Sequence, residues 1–271
     1  MGLRGDWSRS RLTMSGVPTS IHLGPFLFHL YGLGLGIATY VAYFYAQRRL
    51  LQHHIDPTPF ARFTGVLLVT GLFGARLANI ATNWTYYSGH PDRWIAVWQG
   101  GLSSFGGIGV ALPAGFIAIR HWWPHTRLAA FTDALLPALV AGWALGRVLG
   151  PQFMVGGGGH ETTSWFGLHY SGQVGRRVPV PLIQGAEDAS LWLLLLRLEA
   201  RWTTRALGAI SAVAMIVWGL VRALDEHWLL GQQSRSGSVG VQIAGLALSL
   251  SGVVIGWRVA RRPRQLARST Q

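Results

Sequence analysis

Residues 128–150 read LAAFTDALLPALVAGWALGRVLG. Only Asp133 and Arg147 are charged, and they stand toward opposite ends of an otherwise apolar run. A helix of roughly 20 such residues crosses the ~30 Å hydrocarbon of a bilayer. Six more stretches share this character, at about 24–46, 61–82, 101–119, 179–196, 206–224 and 239–257. Gly71, Gly74, Pro113, Pro137 and Gly142 interrupt the second to fourth spans. A membrane bundle tolerates them because neighbouring helices satisfy the freed backbone groups and small residues permit close approach. Of 271 residues, 50% are apolar and 12% charged, and the mean hydropathy is +0.31. A soluble domain carries about 25% charged residues, and a disordered chain is far less hydrophobic. The expected fold is all-α and polytopic: about seven transmembrane helices with a small outer-side loop region.

The net charge is +13, and all 23 basic residues are arginine. Arg48, Arg49, Arg62, Arg120, Arg127, Arg197, Arg201, Arg205, Arg258, Arg261, Arg262, Arg264 and Arg268 fall at loops of one parity. The other parity holds only Arg4, Arg9, Arg11, Arg93, Arg176, Arg177 and Arg235. The positive-inside rule then places the N-terminus outside and the C-terminus in the cytoplasm. Trp84, Trp94, Trp98, Trp122, Trp123, Trp202, Trp228 and Trp257 sit near span ends, as an aromatic belt does. The basic charge is thus mostly topological, and no basic stripe interleaved with aromatics argues for nucleic acid. The expected organisation is an exposed N-terminal arm (1–23), a membrane domain (24–257) and a basic cytoplasmic tail (258–271). The outer loop 151–178 carries the run Gly156 to Gly159, which lacks the Lys-Ser/Thr ending of a phosphate loop. It reads either as a flexible gate or as a linker.

Three arginines remain in or beside the spans: Arg76, Arg147 and Arg222. A cation there faces a cavity or partner, or snorkels to the headgroups. Arg76 fits either reading; Arg147 and Arg222 cluster with other polar residues and favour function. Arg222 and Glu226 are spaced i,i+4 on one helix face. Such a pair either fixes the guanidinium or is merely structural. Asp133 is placed near the cytoplasmic start of its helix, and Glu199 in a loop. A planar guanidinium fork suits phosphate oxygens, so the residues point to a membrane protein handling a phospholipid or anionic solute. Transport remains open at this level. With no cysteine and no His-x3-His or His-Glu-x-x-His helix motif (His121 and His125 flank Pro124), no metal is expected. His53, His54, His121 and His125 read as loop histidines.

Several strings in order resemble the bacterial prolipoprotein diacylglyceryl transferases. They are Tyr31-Gly32-Leu33; Gly74-Ala75-Arg76-Leu77 with Asn83-Trp84 and Tyr86-Tyr87; and Trp98-Gln99-Gly100-Gly101-Leu102-Ser103 with Gly106-Gly107. Asp133-x3-Pro137 through Gly146-Arg147, Arg222-x3-Glu226 and Gly240-Val241-Gln242 continue the match. The resemblance implies an enzyme of the bacterial cytoplasmic membrane. It would move diacylglyceryl from phosphatidylglycerol to the lipobox cysteine in a prolipoprotein signal peptide and release glycerol 1-phosphate. No cofactor is implied. By the same resemblance Arg147 contacts the headgroup, and Arg222, oriented by Glu226, is the second catalytic arginine. Tyr31, Arg76, Ser103, Gln184, Glu187 and Gln242 are the further substrate-binding candidates. The alternative is a diverged membrane lipid-binding or transport protein, or one with an altered substrate.

Three departures stand out. Phe105 occupies the place of a family histidine in Gly100-Gly101-Leu102-Ser103-Ser104-Phe105-Gly106-Gly107. Gly150-Pro151-Gln152-Phe153 and the glycine run replace the family's Gly-Asn-Phe and Asn-Gly-Glu. The family's Pro-x-Gln-x-x-Glu is spread to Pro181-x-x-Gln184-x-x-Glu187. With Phe105 unable to accept a proton, the expectation is that the acceptor thiol ionises unaided beside Arg147 and Arg222. His29 and His160 are the alternative bases on the outer side.

Overall fold

The structure is a computed structural model that describes residues 16–23, 26–96, 101–202, 206–228 and 235–261. Most of the expected arm, Trp98 to Gly100, Arg205, and Arg262 with the tail beyond it lie outside the described residues. The first apolar span does not open as a helix. Ser20–Leu23 (β1) pairs antiparallel with Phe26–His29 (β2), Leu23 opposite Phe26 and Ser20 opposite His29. Helix α1 follows at Leu30–Gln52, about six residues later than the span 24–46 suggests. The local pattern accounts for the shift: polar and apolar residues alternate over Ser20–Leu23, and Gly24-Pro25 is a turn signal.

The other helices are α2 (Phe60–Thr82), α3 (Trp84–Ser88), α4 (Ser104–Trp122), α5 (Leu128–Leu149), α6 (Val180–Arg201), α7 (Ala209–Trp228) and α8 (Arg235–Arg261). Pro113 and Pro137 lie inside α4 and α5 without ending them. Among the described residues, three stretches are long and apolar enough to cross a membrane: Phe60–Thr82, Leu128–Phe153 and Val239–Arg261. Many of their apolar side chains face outward, most of all in the first and last. Val69 and Phe73 are 69% and 64% exposed, and Ile243 and Leu250 are 62% and 63%. So much exposed apolar surface suits lipid rather than water. The protein is a helical membrane protein.

The chain divides into two units, Met1–Arg49 with Thr132–Gln271, and Leu50–Phe131. In the second unit α2 packs along α4. A methyl at Gly74 or Gly106 would strike the other's backbone carbonyl, so only glycine allows this approach. Phe63, Trp123 and Phe131 form an aromatic core, with Trp123 and Phe131 centroids 4.8 Å apart.

In the first unit α7 and α8 meet at Gly219 and Gly245 on the same principle, while Val140, Leu191, Leu195, Ile210 and Ala214 form the core. Asp133 is not a simple marker of the cytoplasmic end. It is 2% exposed and caps α7, accepting from Gly208 N (2.8 Å), Ser211 N (2.8 Å) and Ser211 Oγ (2.6 Å). Arg49 and Glu199 also depart from their expected loop positions. Arg49 is buried, and its Nη1 and Nη2 donate to the two oxygens of Glu199, on α6, at 2.6 and 3.1 Å. Its Nη2 also reaches the Asp133 carbonyl at 3.3 Å. The reason is Pro137: with no N–H, it leaves that carbonyl four residues back without its helical donor.

The segment 151–178 is hydrogen-bonded rather than a bare linker. Gln173 clamps Gly158, accepting from its N–H and donating to its carbonyl, both at 2.9 Å. Tyr170 is buried and donates to Gln152 Oε1 at 2.7 Å. Burial pushes its phenol up to about 12, against the opposing influence of the Gln152 hydrogen bond.

Candidate active site

The charged residues left over by the core converge in the first unit. Arg147 comes from the last turn of α5. Gln184, Glu187 and Asp188 stand at i, i+3 and i+4 on α6, and Trp218, Val221, Arg222 and Asp225 repeat the pattern on α7. Helical spacing therefore puts each set on one face. Together they line one small cleft.

Opposite charges hold the arrangement. Arg222 Nη2 lies 3.5 Å from Glu226 Oε2, the pair anticipated from spacing, and its Nη1 lies 3.8 Å from Asp225 Oδ2. Gln184, 3% exposed, donates its Nε2 to the same Asp225 oxygen at 2.9 Å. Trp218 lines the cavity with Asp188, and the Arg147 guanidinium sits 5.7 Å from the Trp143 ring centre. Four buried atoms nevertheless have no hydrogen-bond partner: Arg147 Nε, Arg222 Nη1, Glu187 Oε2 and Glu226 Oε2. Buried polar groups are normally satisfied, so orphans of both kinds in one place mark a site awaiting a polar occupant. The two guanidinium donors suit phosphate oxygens; the carboxylate oxygens suit a proton.

Asp188, Asp225 and Trp218 were not singled out by the sequence reading. Their signal was available in the spacing from Gln184 and Arg222, but charge alone did not separate them from other acids. The remaining candidates lie elsewhere. Tyr31 stands exposed in the first turn of α1, and Gln242 is half-buried in α8. Arg76 and Ser103 belong to the second unit. Arg76 is 6% exposed and does not snorkel. Its Nε donates to the Trp94 carbonyl at 2.9 Å, its Nη1 to that of Gly101 at 3.0 Å and its Nη2 to that of Arg93. With the guanidinium also 5.1 Å from the Tyr87 ring centre, it fastens the chain that follows α3. Ser103 caps α4, accepting from Gly106 N at 3.4 Å. Phe105 is 52% exposed in the first turn of α4. His29 and His160 are exposed. Among the described residues no group of three or more His, Asp or Glu side chains is arranged to hold a metal.

Comparison with known proteins bears on this geometry. Three relatives carry the name phosphatidylglycerol–prolipoprotein diacylglyceryl transferase. That of Cupriavidus necator is 30% identical, covering 91% of this chain and 94% of its own. The Verminephrobacter eiseniae protein is 28% identical over 94% and 97% respectively. The Thermosynechococcus vestitus protein is 25% identical over 89% and 91%. The family profile described as prolipoprotein diacylglyceryl transferase matches residues 18–260, so the chain belongs to that family.

Proposed function

We propose that the chain transfers the diacylglyceryl group of phosphatidylglycerol to the lipobox cysteine thiol of a prolipoprotein, releasing glycerol 1-phosphate. The observation that carries this reading is the pair of unspent guanidinium donors, Arg147 Nε and Arg222 Nη1, in one cavity. The thiolate attacks the glycerol carbon, the C–S bond forms and the C–O bond to phosphate breaks. Charge then grows on the departing phosphate, and fixed donors stabilise such charge most where water is excluded. Arg147 meets the headgroup, Arg222 completes the phosphate cradle, and Glu226 holds Arg222 in direction. Gln184 fixes Asp225 beneath that guanidinium. Tyr31 and Gln242 are assigned to substrate contact at the rim, while Arg76 and Ser103 act through the segment they fasten. The nucleophile belongs to the substrate, in keeping with a chain that has no cysteine.

The enzyme is placed in the bacterial cytoplasmic membrane as a seven-span protein, N-terminus outside and C-terminus in the cytoplasm. The arginine bias supports this, as do the long helices α1, α2 and α4 to α8, each of 19 residues or more. On that topology Arg147 and the cavity lie toward the outer face, with 151–178 as the outer loop and 258–271 as the cytoplasmic tail. Membranes holding the protein, phosphatidylglycerol and a lipobox peptide should release glycerol 1-phosphate and yield the thioether-linked peptide. Lipid binding without either product would favour the diverged lipid-binding reading, which Phe105 and the glycine run recommend.

A further inference from the structure

The transfer requires a proton acceptor, because the thiolate rather than the thiol is the nucleophile. Among the described residues no histidine, tyrosine or other neutral base lines the cavity, and the proton acceptors that do are carboxyl groups. They are not equivalent. Asp225 is engaged by Gln184 and Arg222, Asp188 is itself buried, and Glu226 stands against Arg222, outside the cavity lining. Glu187 remains. Its Oε2 is buried and receives no hydrogen bond, it lines the same cavity as both arginines, and the residue is only half-buried.

We infer that Glu187 is the catalytic base, taking the proton from the acceptor cysteine thiol as sulfur attacks the glycerol carbon. The inference rests on the transferase reading above and replaces the expectation of an unaided thiol. The step balances. The S–H proton passes to Glu187 Oε2, the sulfur pair forms the C–S bond, and the C–O pair leaves on the phosphate oxygen. Glycerol phosphate or water then takes the proton and restores the carboxylate. Charge favours this order. Among the described residues, the ionisable groups around Glu187 are Arg147 on α5, Asp188 on α6, and Arg222 and Asp225 on α7, with Glu226 against Arg222. Four carboxyls thus meet two guanidiniums, so further negative charge on the departing phosphate is opposed until a carboxyl takes up a proton. Each proton accepted by Glu187 removes one of those charges while the phosphate gains its own.

A selenocysteine acceptor tests the assignment, because a selenol is already ionised at neutral pH and needs no base. The full-length protein in phosphatidylglycerol vesicles is assayed for glycerol 1-phosphate release with a lipobox peptide carrying cysteine or selenocysteine. Glu187→Gln should lose about 10²–10⁴-fold with the thiol peptide, the usual loss on removing a general base. With the selenol peptide it should stay near the parent rate, and Glu187→Asp should recover part of the thiol activity. Equal losses with both peptides would make Glu187 a structural member of the cluster and overturn the inference, as would full thiol activity. A parent protein inactive with either peptide would instead refute the transferase reading on which the inference rests.

Discussion

Replacing Arg147 by lysine keeps the charge of the site and removes its geometry. The guanidinium fork presents donors in a plane matched to phosphate oxygens, and an ammonium is a point charge. Arg147 Nε is buried and unpartnered, so the resting protein spends nothing on it. A fixed donor aimed at charge that develops in the transition state is worth about 10²–10³-fold, or roughly 2.7–4 kcal/mol. Lysine has no counterpart to Nε, so Arg147→Lys should lose about one such donor. The assay is glycerol 1-phosphate release from phosphatidylglycerol vesicles with a lipobox peptide, at equal membrane abundance and equal thermal stability. If the donor acts only on the leaving phosphate, kcat and kcat/KM should fall together with KM unchanged. Retained activity would refute the reasoning. A raised KM with unchanged kcat would also refute it, because the fork would then serve headgroup binding alone and not the departing phosphate.

Asp133→Ala leaves the Gly208 and Ser211 N–H groups and the Ser211 hydroxyl without their acceptor. At about 1–3 kcal/mol for each buried orphan, a loss of about 3 kcal/mol or more is expected on thermal unfolding in detergent, and an unchanged transition would contradict the cap. Tyr170 titrates near 10 in an unfolded chain and at about 12 in the fold. The folded loop therefore holds the proton more tightly, so its stability is full below pH 10 and declines as pH rises toward 12. Limited proteolysis of the loop across that window should show the decline in the parent, and its absence in Tyr170→Phe. Reporter fusions after Arg127 should read cytoplasmic and one at Gly157 external; a cytoplasmic signal at Gly157 would invert the assigned topology.

The sequence by itself determined the helical membrane character, because period and length are local quantities. The span 128–150 and helix α5 at Leu128–Leu149 coincide closely, since twenty apolar residues in lipid have few ways to satisfy their own backbone other than a helix. It also marked Arg147, Arg222 and Glu226, since charge in apolar surroundings is conspicuous wherever it occurs and an i,i+4 pair needs no tertiary knowledge. The hairpin before α1 lay at the edge of what a window shows. The alternation of Ser20 to Leu23 and the Gly24-Pro25 turn signal are in the chain, but the apolar run Phe26-Leu27-Phe28 merges with the span that follows. Which polar residues are partners was decided only by the fold. Arg49 and Glu199 are 150 positions apart, and Asp133 caps a helix that begins 76 residues later at Ala209. Asp225 enters the cavity because Gln184 on another helix donates to it, and Arg76 turns from a candidate ligand contact into a fastener because three carbonyls converge on it. Buried charges and hydrogen bonds are satisfied by whatever the packing brings within about 3 Å, and that distance is set between helices, where no sequence window reaches.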